Sequence, residues 1–278
     1  MKLSFSTLAC PDWTMSQILA MATAAGYDGI ELRFVEGEAS LWKLPVFQAT
    51  ALGSLKHVLA DQGLSICCLD TSCRFDSPDA AERRRWIEEG ERMSDLAGEL
   101  GAPGLRVFGD PIQAGADRAS TDGWIADSIR QLAEITERKG VEVWLETHGD
   151  FASARETAVI LARSSAPKAG AVWDPINCFV ATRERPVDGA AALGTAIRHV
   201  HIKDIRRKNA KGNENSWEYV LTGQGDFPLQ EVQSALKNLA YDRFLSFEWE
   251  QKWHPELADA EIALPHFAEW FRKNCAHG

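Results

Sequence analysis

Glu146 and His148 stand two residues apart in the stretch VEVWLETHGD, residues 141–150. Carboxylate and imidazole are the groups that hold divalent cations and move protons near neutral pH. Alternation along a strand turns residues two apart to one face, so both side chains point the same way. An apolar strand that ends in such groups needs a cation or a substrate to offset their desolvation. The pattern recurs: VWDPIN delivers Asp174 and Asn177, HVHIKD delivers His199, His201, Lys203 and Asp204, and SFEWE delivers Glu248 and Glu250. Carboxylates crowded on one rim raise one another's pKa unless a cation lies among them. Three carboxylates with one imidazole make a hard, oxygen-rich set that suits Mn2+ or Mg2+, with Co2+ or Zn2+ also able to bind.

These groups meet only if their strands run parallel and end at one place. Strands are expected at residues 2–7, 27–33, 64–69, 104–108, 141–146, 170–173, 197–203 and 243–249. Between them fall helical stretches: one opened by a capping box at Thr14 and Gln17 and closed before Gly26, then 45–62, 79–100, 121–139, 154–164, 188–195, 228–239 and 258–273. The charge run within residues 82–92 fits a solvated helix face. A polar loop is expected over 206–215 and a turn at the Gly223-Gln224-Gly225 run. A Gly-x-Gly run also suits a phosphate cradle, though an ordinary turn is the simpler reading. Regular βα alternation implies parallel strands joined by right-handed crossovers. Eight units without a composition break, over residues 1–278, predict one α/β domain, a (β/α)8 TIM barrel. A doubly wound open sheet would want a glycine-rich phosphate fingerprint after the first strand, and none is present.

The chain of 278 residues is 45% hydrophobic and 25% charged, ordinary for a folded domain with a sizeable core. Its net charge of −10 argues against nucleic acid as a partner. Ten Trp residues offer flat apolar rings for a small-molecule site. Cys10, Cys67, Cys68, Cys73, Cys178 and Cys275 form no C-x-x-C motif, so a reduced, cytoplasmic chain is expected. The opening MKLSFSTLAC has a polar-interrupted core too short for a signal segment and reads as the first strand. No apolar run reaches the roughly 20 residues of a membrane span.

The ordered set of a fifth-strand Glu146, the D-P-x-N of residues 174–177, the H-x-H-x-K-D of residues 199–204 and the S-F-E of residues 246–248 resembles the xylose isomerase-like TIM barrels. Within them it is most similar to the sugar isomerases and 3-epimerases related to D-tagatose 3-epimerase, over almost the whole chain. The resemblance implies Glu146, Asp174, His201 and Glu248 as ligands of a divalent metal ion, Mn2+ foremost. It also implies Glu146 and Glu248 as opposed acid/base groups that work through an enediolate on a ketose or keto-sugar derivative. Arg207, six residues beyond His201, falls where the epimerases place a substrate-binding arginine. Asn177 falls where they carry a histidine, and Ala152 where they carry a second substrate-binding glutamate.

Several positions admit two readings. His148 fits a substrate or supporting contact as well as an exposed loop histidine, and His199 fits a ligand as well as a core histidine. Lys203 suits substrate binding or a rim ion pair with Asp204, and Trp253 with His254 suits a lid over a sugar face or packing under the last helix. Glu31 and Arg106, inside strands, are expected to pair with each other, with substrate contact second. The function expected is a metal-dependent sugar isomerase or epimerase, and a dehydratase or 3-keto-glycoside lyase is the alternative. An endonuclease-IV-like phosphodiesterase would want clustered histidines and a basic groove, against seven scattered His and the acidic charge. A non-enzymatic binding barrel would have no use for paired acid/base carboxylates. The partner expected is a small sugar, with a homodimer or homotetramer as the assembly.

Overall fold

A computed structural model describes residues 1–208 and 216–275. Ten strands are β1 (Lys2–Ser6), β2 (Gly29–Leu32), β3 (Ser65–Arg74), β4 (Gly104–Phe108), β5 (Glu142–Glu146), β6 (Ala169–Trp173), β7 (Ile197–Ile202), β8 (Asp204–Arg207), β9 (Trp217–Val220) and β10 (Phe244–Phe247). Eight of them close a parallel barrel in the order β1-β10-β7-β6-β5-β4-β3-β2. Closure comes from β1 against β10, with Lys2 opposite Phe244 and Phe5 opposite Phe247. The expected (β/α)8 TIM barrel is therefore the fold. No helix among the described residues is long and apolar enough to cross a membrane.

Helices follow the strands because the sequence marks their ends. Helix α1 (Met15–Ala25) starts at the Thr14–Gln17 capping box and stops where Gly26 turns left-handed at φ 70°. Helices α2 (Ala49–Asp61), α3 (Ala80–Leu100), α4 (Arg118–Thr136) and α5 (Ala154–Ser164) cover the next strands. Their buried faces meet the outer face of the barrel, where Ile129, Leu132, Leu105 and Val107 are fully excluded from water. All six cysteines are free and buried.

Three features depart from expectation. The β6–β7 connection holds two helices, α6 (Pro175–Thr182) and α7 (Pro186–Leu193), and the first of them begins at the strand end. Asp174 is its N-cap and Pro175 opens its first turn. Strand β3 runs on past Leu69 to Arg74, with Asp70 opposite Arg106 and Arg74 opposite Phe108 in the register to β4. In place of the first part of the expected 206–215 loop, β8 pairs antiparallel with β9. Residues 209–215 of that loop lie outside the described residues. After α8 (Leu229–Asn238) and β10, α9 (Ala260–Asn274) ends the fold.

Trp144 fixes how closely β4 and β5 approach. Its indole is 1% exposed and Nε1 donates to Glu142 Oε2 at 2.8 Å. A Cβ added at Gly104 would lie 2.2 Å from Trp144 Cε2. Gly104→Ala is expected to cost roughly 1–3 kcal/mol as an overpacking change. Urea unfolding reads this as a lowered midpoint at constant slope, and an unchanged midpoint would show that the indole has room to move.

Candidate functional site

Four consecutive barrel strands deliver the motif residues to one rim. Glu146 is the last residue of β5, His201 lies in β7, and Asp174 and Glu248 follow β6 and β10 directly. One ligand atom from each of these four residues lies within 4.8 Å of all the others. His201 Nδ1 is 3.3 Å from Glu146 Oε1 and 3.3 Å from Glu248 Oε1. Backbone bonds carry the ladder past the strand ends: Glu248 N–H donates to Ile202 O at 3.0 Å and Thr147 N–H to Val172 O at 3.1 Å. Thr147 Oγ1 also accepts from Asp174 N at 2.8 Å, which ties the ends of β5 and β6 together.

Three of the four groups keep an atom without a hydrogen bond. Asp174 Oδ1 accepts from the backbone of Ile176 and Asn177, both at 2.8 Å, which leaves Oδ2 to face inward. Asp174 Oδ2, Glu146 Oε2 and His201 Nδ1 are buried without a hydrogen-bond partner. The Lys203 ammonium, 2.9 Å from Asp174 Oδ2, and the Arg106 guanidinium, 3.3 Å from Glu146 Oε2, balance charge there without forming those bonds. Buried polar atoms are rarely left unpartnered. Three carboxylates and an imidazole, three of the four groups with an orphaned atom, fit a divalent cation of the kind that oxygen-rich sites prefer.

A second layer beneath orients the first. Glu31 accepts from His201 Nε2 at 2.7 Å and from His199 Nε2 at 2.9 Å, and Ser246 Oγ also donates to it. A carboxylate on Nε2 leaves Nδ1 as the lone pair for the site, the usual support for a metal-bound histidine. His199 stacks on Trp144 at 6.0 Å and serves this layer. Arg106 pairs with Asp70 and Glu146, both at 3.3 Å, so Glu31 and Arg106 are paired as expected but not with each other. The reason is depth: Glu31 sits level with the histidines, and Arg106 lies opposite Asp70 in the β3–β4 register. Burial pushes Asp70 up to about 8 despite the neighbouring guanidinium.

Electrostatics separates the two glutamates. Burial opposes ionisation of Glu146, but Arg106 and His201 outweigh it and hold the carboxyl well below its usual range. Burial raises Glu248, with His201 and Lys203 only partly compensating. Lys203, 1% exposed, reaches Glu248 Oε2 and Glu250 Oε1 at 2.6 Å as well as Asp174. Burial disfavours its charge, yet these carboxylates keep it firmly protonated. The rim ion pair with Asp204 does not form. Asp204 Oδ2 instead accepts from Gly223 N at 2.8 Å and Gly225 N at 3.0 Å, so the glycine turn wraps a carboxylate of its own chain.

A cavity of about 250 Å³ opens over this floor, lined among others by Glu146, His148, Lys203, Glu248 and Trp253. His148 Nδ1 is 2.9 Å from both Asp110 oxygens. That bond and the nearby Glu146 charge overcome burial and lift the imidazole to about 9. Trp253 is 57% exposed and meets Phe34 edge-on at 6.1 Å, so it stands at the mouth rather than under the last helix. Asn177 Nδ2 donates to Thr147 O at 3.2 Å and braces the rim. Arg207 is exposed, stacks on Trp217 at 5.4 Å, and stays outside the lining of the cavity. Ala152 is buried where a glutamate was looked for. Arg33, Arg74, Asp70 and Asp110 were not singled out from the sequence. The Glu31-x-Arg33 spacing, the same as Glu146-x-His148, is the signal that points to the first of them.

A family model described as the xylose isomerase-like TIM barrel matches residues 19–273. Among solved structures, the IolI protein with a bound zinc atom superposes with a TM-score of 0.79 at 20% identity, over 98% of this chain and 96% of that one. The probable 3-DHS dehydratase AsbF of petrobactin synthesis from Bacillus anthracis superposes with a TM-score of 0.78 at 20% identity, over 99% and 100% of the two chains. A D-psicose 3-epimerase from Clostridium cellulolyticum H10, solved with D-tagatose, gives 0.78 at 16% identity over 98% of each chain. At these identities the likeness is one of fold.

Removing Lys203 would leave three carboxylates facing one another in a buried site. Lys203→Met is expected to cost roughly 3–5 kcal/mol, the usual penalty for stripping one partner from a buried ionic cluster. Chemical denaturation of the metal-free protein measures it. A loss below about 1 kcal/mol would mean that the carboxylates are neutralised by protons instead.

Proposed function

The chain belongs to the xylose isomerase-like TIM barrel family, and on that premise we propose that it is a divalent-metal-dependent sugar isomerase or epimerase. The observation that carries the reading is the convergence of Glu146 and Glu248 on one atom, each 3.3 Å from His201 Nδ1. The ligands proposed are Glu146, Asp174, His201 and Glu248, with Mn2+ the preferred ion and Mg2+, Co2+ or Zn2+ able to substitute. A bound cation would supply the positive charge that stabilises an enediolate.

The chain's own residues do the rest. Glu146, held ionised by Arg106 and His201, suits the removal of a proton from the carbon beside a carbonyl. Glu248, raised by burial, suits the return of a proton from the other side. Lys203 keeps Glu248 and Glu250 in place, Tyr219 donates to Glu250 at 2.8 Å, and Asp110 orients His148. His148 and Trp253 are proposed to contact the sugar from the rim, and Asn177 acts by bracing it. Six buried free thiols suit a reducing, cytoplasmic setting. Elimination of a leaving group after the same proton abstraction is the second reading. The buried methyl of Ala152 favours it, because a carboxylate contact to the far end of a ketose is missing there.

Incubation with Mn2+ and a panel of ketoses in D2O should place deuterium at C1 or C3 of recovered sugar. Elimination products without recovered isomer would favour the lyase reading. Glu248→Gln is expected to lower turnover by at least about 100-fold, within the usual worth of a general acid or base, while the folded circular dichroism spectrum persists. Near-wild-type turnover would overturn the two-glutamate scheme. Metal-free His201 is held protonated by Glu248, Glu31 and Glu146 against the opposing effect of burial. Coordination at Nδ1 must displace that proton, so Mn2+ affinity should rise with pH. Calorimetry in buffers of different ionisation enthalpy should detect proton release, and pH-independent binding would contradict His201 as a ligand.

A further inference from the structure

Arg33 is 7% exposed, yet it pairs with no carboxylate among the described residues. Its backbone N–H donates to Thr7 Oγ1 at 2.8 Å and its NH2 to Ser72 Oγ at 3.0 Å. The guanidinium lies 4.4 Å from the centre of the Phe34 ring. Nη1 has no hydrogen-bond partner among the described residues. Buried guanidinium groups are almost always paired, because their desolvation is otherwise uncompensated.

Three other cations of the same cavity are already committed. Arg106 engages Asp70 and Glu146, Lys203 engages three carboxylates, and His148 engages Asp110. Arg33 is a buried charge left unspent. Arg74, at the exposed end of β3, lines the same cavity and pairs with no acid among the described residues. Lys252 approaches Phe34 at 5.3 Å and adds positive charge at the mouth. Burial and the repulsion of Arg106 lower Arg33 only to about 10, so it remains cationic at neutral pH.

We propose that Arg33 and Arg74 form an anion subsite, so that the substrate handled by Glu146 and Glu248 is a sugar acid. This rests on the function proposed for the same cavity. A carboxylate fits better than a phosphate. Its two coplanar oxygens match a planar guanidinium, and the lining carboxylates Asp110, Glu146, Glu248 and Glu250 repel a dianion more than a monoanion. The glycine-rich turn that could cradle a phosphate is spent on Asp204.

The test compares wild type, Arg33→Met and Arg74→Met by calorimetry and thermal melting at constant ionic strength, metal-free and with Mn2+. The probes are glucuronate, gluconate, glucose 6-phosphate and fructose. Wild type should bind the two carboxylates, Arg33→Met should lose about tenfold or more, and Arg74→Met should lose several-fold. Any binding of fructose should be the same in all three proteins. Without a probe, Arg33→Met should melt at or above wild type, because an unpaired buried charge has been removed. Carboxylate binding that is absent from wild type, or undiminished in Arg33→Met, overturns the subsite. Arg33-dependent binding of glucose 6-phosphate above both carboxylates overturns the sugar-acid assignment. Loss of Mn2+ binding with Arg33-dependent carboxylate binding intact would instead bring down the metal-dependent function and leave the subsite standing.

Discussion

Neutralising charge where water does not reach is the constraint on which this barrel depends. Glu31, Asp70, Glu146, Asp174 and Glu248 are all at most 5% exposed and come from five of the eight barrel strands or their ends. An isolated carboxylate in such surroundings would cost several kcal/mol. The chain answers with interleaved cations: Arg106 between Asp70 and Glu146, Lys203 between Asp174 and Glu248, and two histidines on Glu31. Where this neutralisation stays incomplete, at the inward atoms of Glu146, Asp174 and His201, the site can accept something from outside.

The arrangement divides the labour by depth. The deeper layer of Glu31, His199 and Ser246 is buried and serves to fix the ring of His201. The rim layer of His148, Arg33, Arg74 and Trp253 lines the cavity and can meet a substrate. Asp174 belongs to both packing and chemistry, since one oxygen starts α6 while the other faces the site. A helix N-terminus favours negative charge, so the same carboxylate is stabilised there before any ion arrives.

The barrel was legible because each apolar run is closed by a glycine or a cap, as Gly26, Gly101 and Gly140 show with their left-handed φ angles. Strand ends were legible too, since Glu146, Asp174, His201 and Glu248 break apolar runs. Choice of partner was not. Glu31 meets His201 and Ser246 across 170 and 215 residues of sequence, so its pairing depends on barrel closure rather than on local pattern. The hairpin β8–β9 is illegible for a related reason: its strands are only four residues each and gain order from each other and from the Asp204 carboxylate. Arg207 looked like the substrate arginine by its distance from His201, but the hairpin carries it outward onto Trp217.

The central claim is that Glu146, Asp174, His201 and Glu248 share one divalent ion. Crystals grown with Mn2+ and measured at its absorption edge test it most directly. The account predicts one anomalous peak within coordination distance of all four residues, with Lys203 still on Glu248 and Glu250. A map without that peak, or with the Lys203 ammonium at the centre of the four, would contradict it.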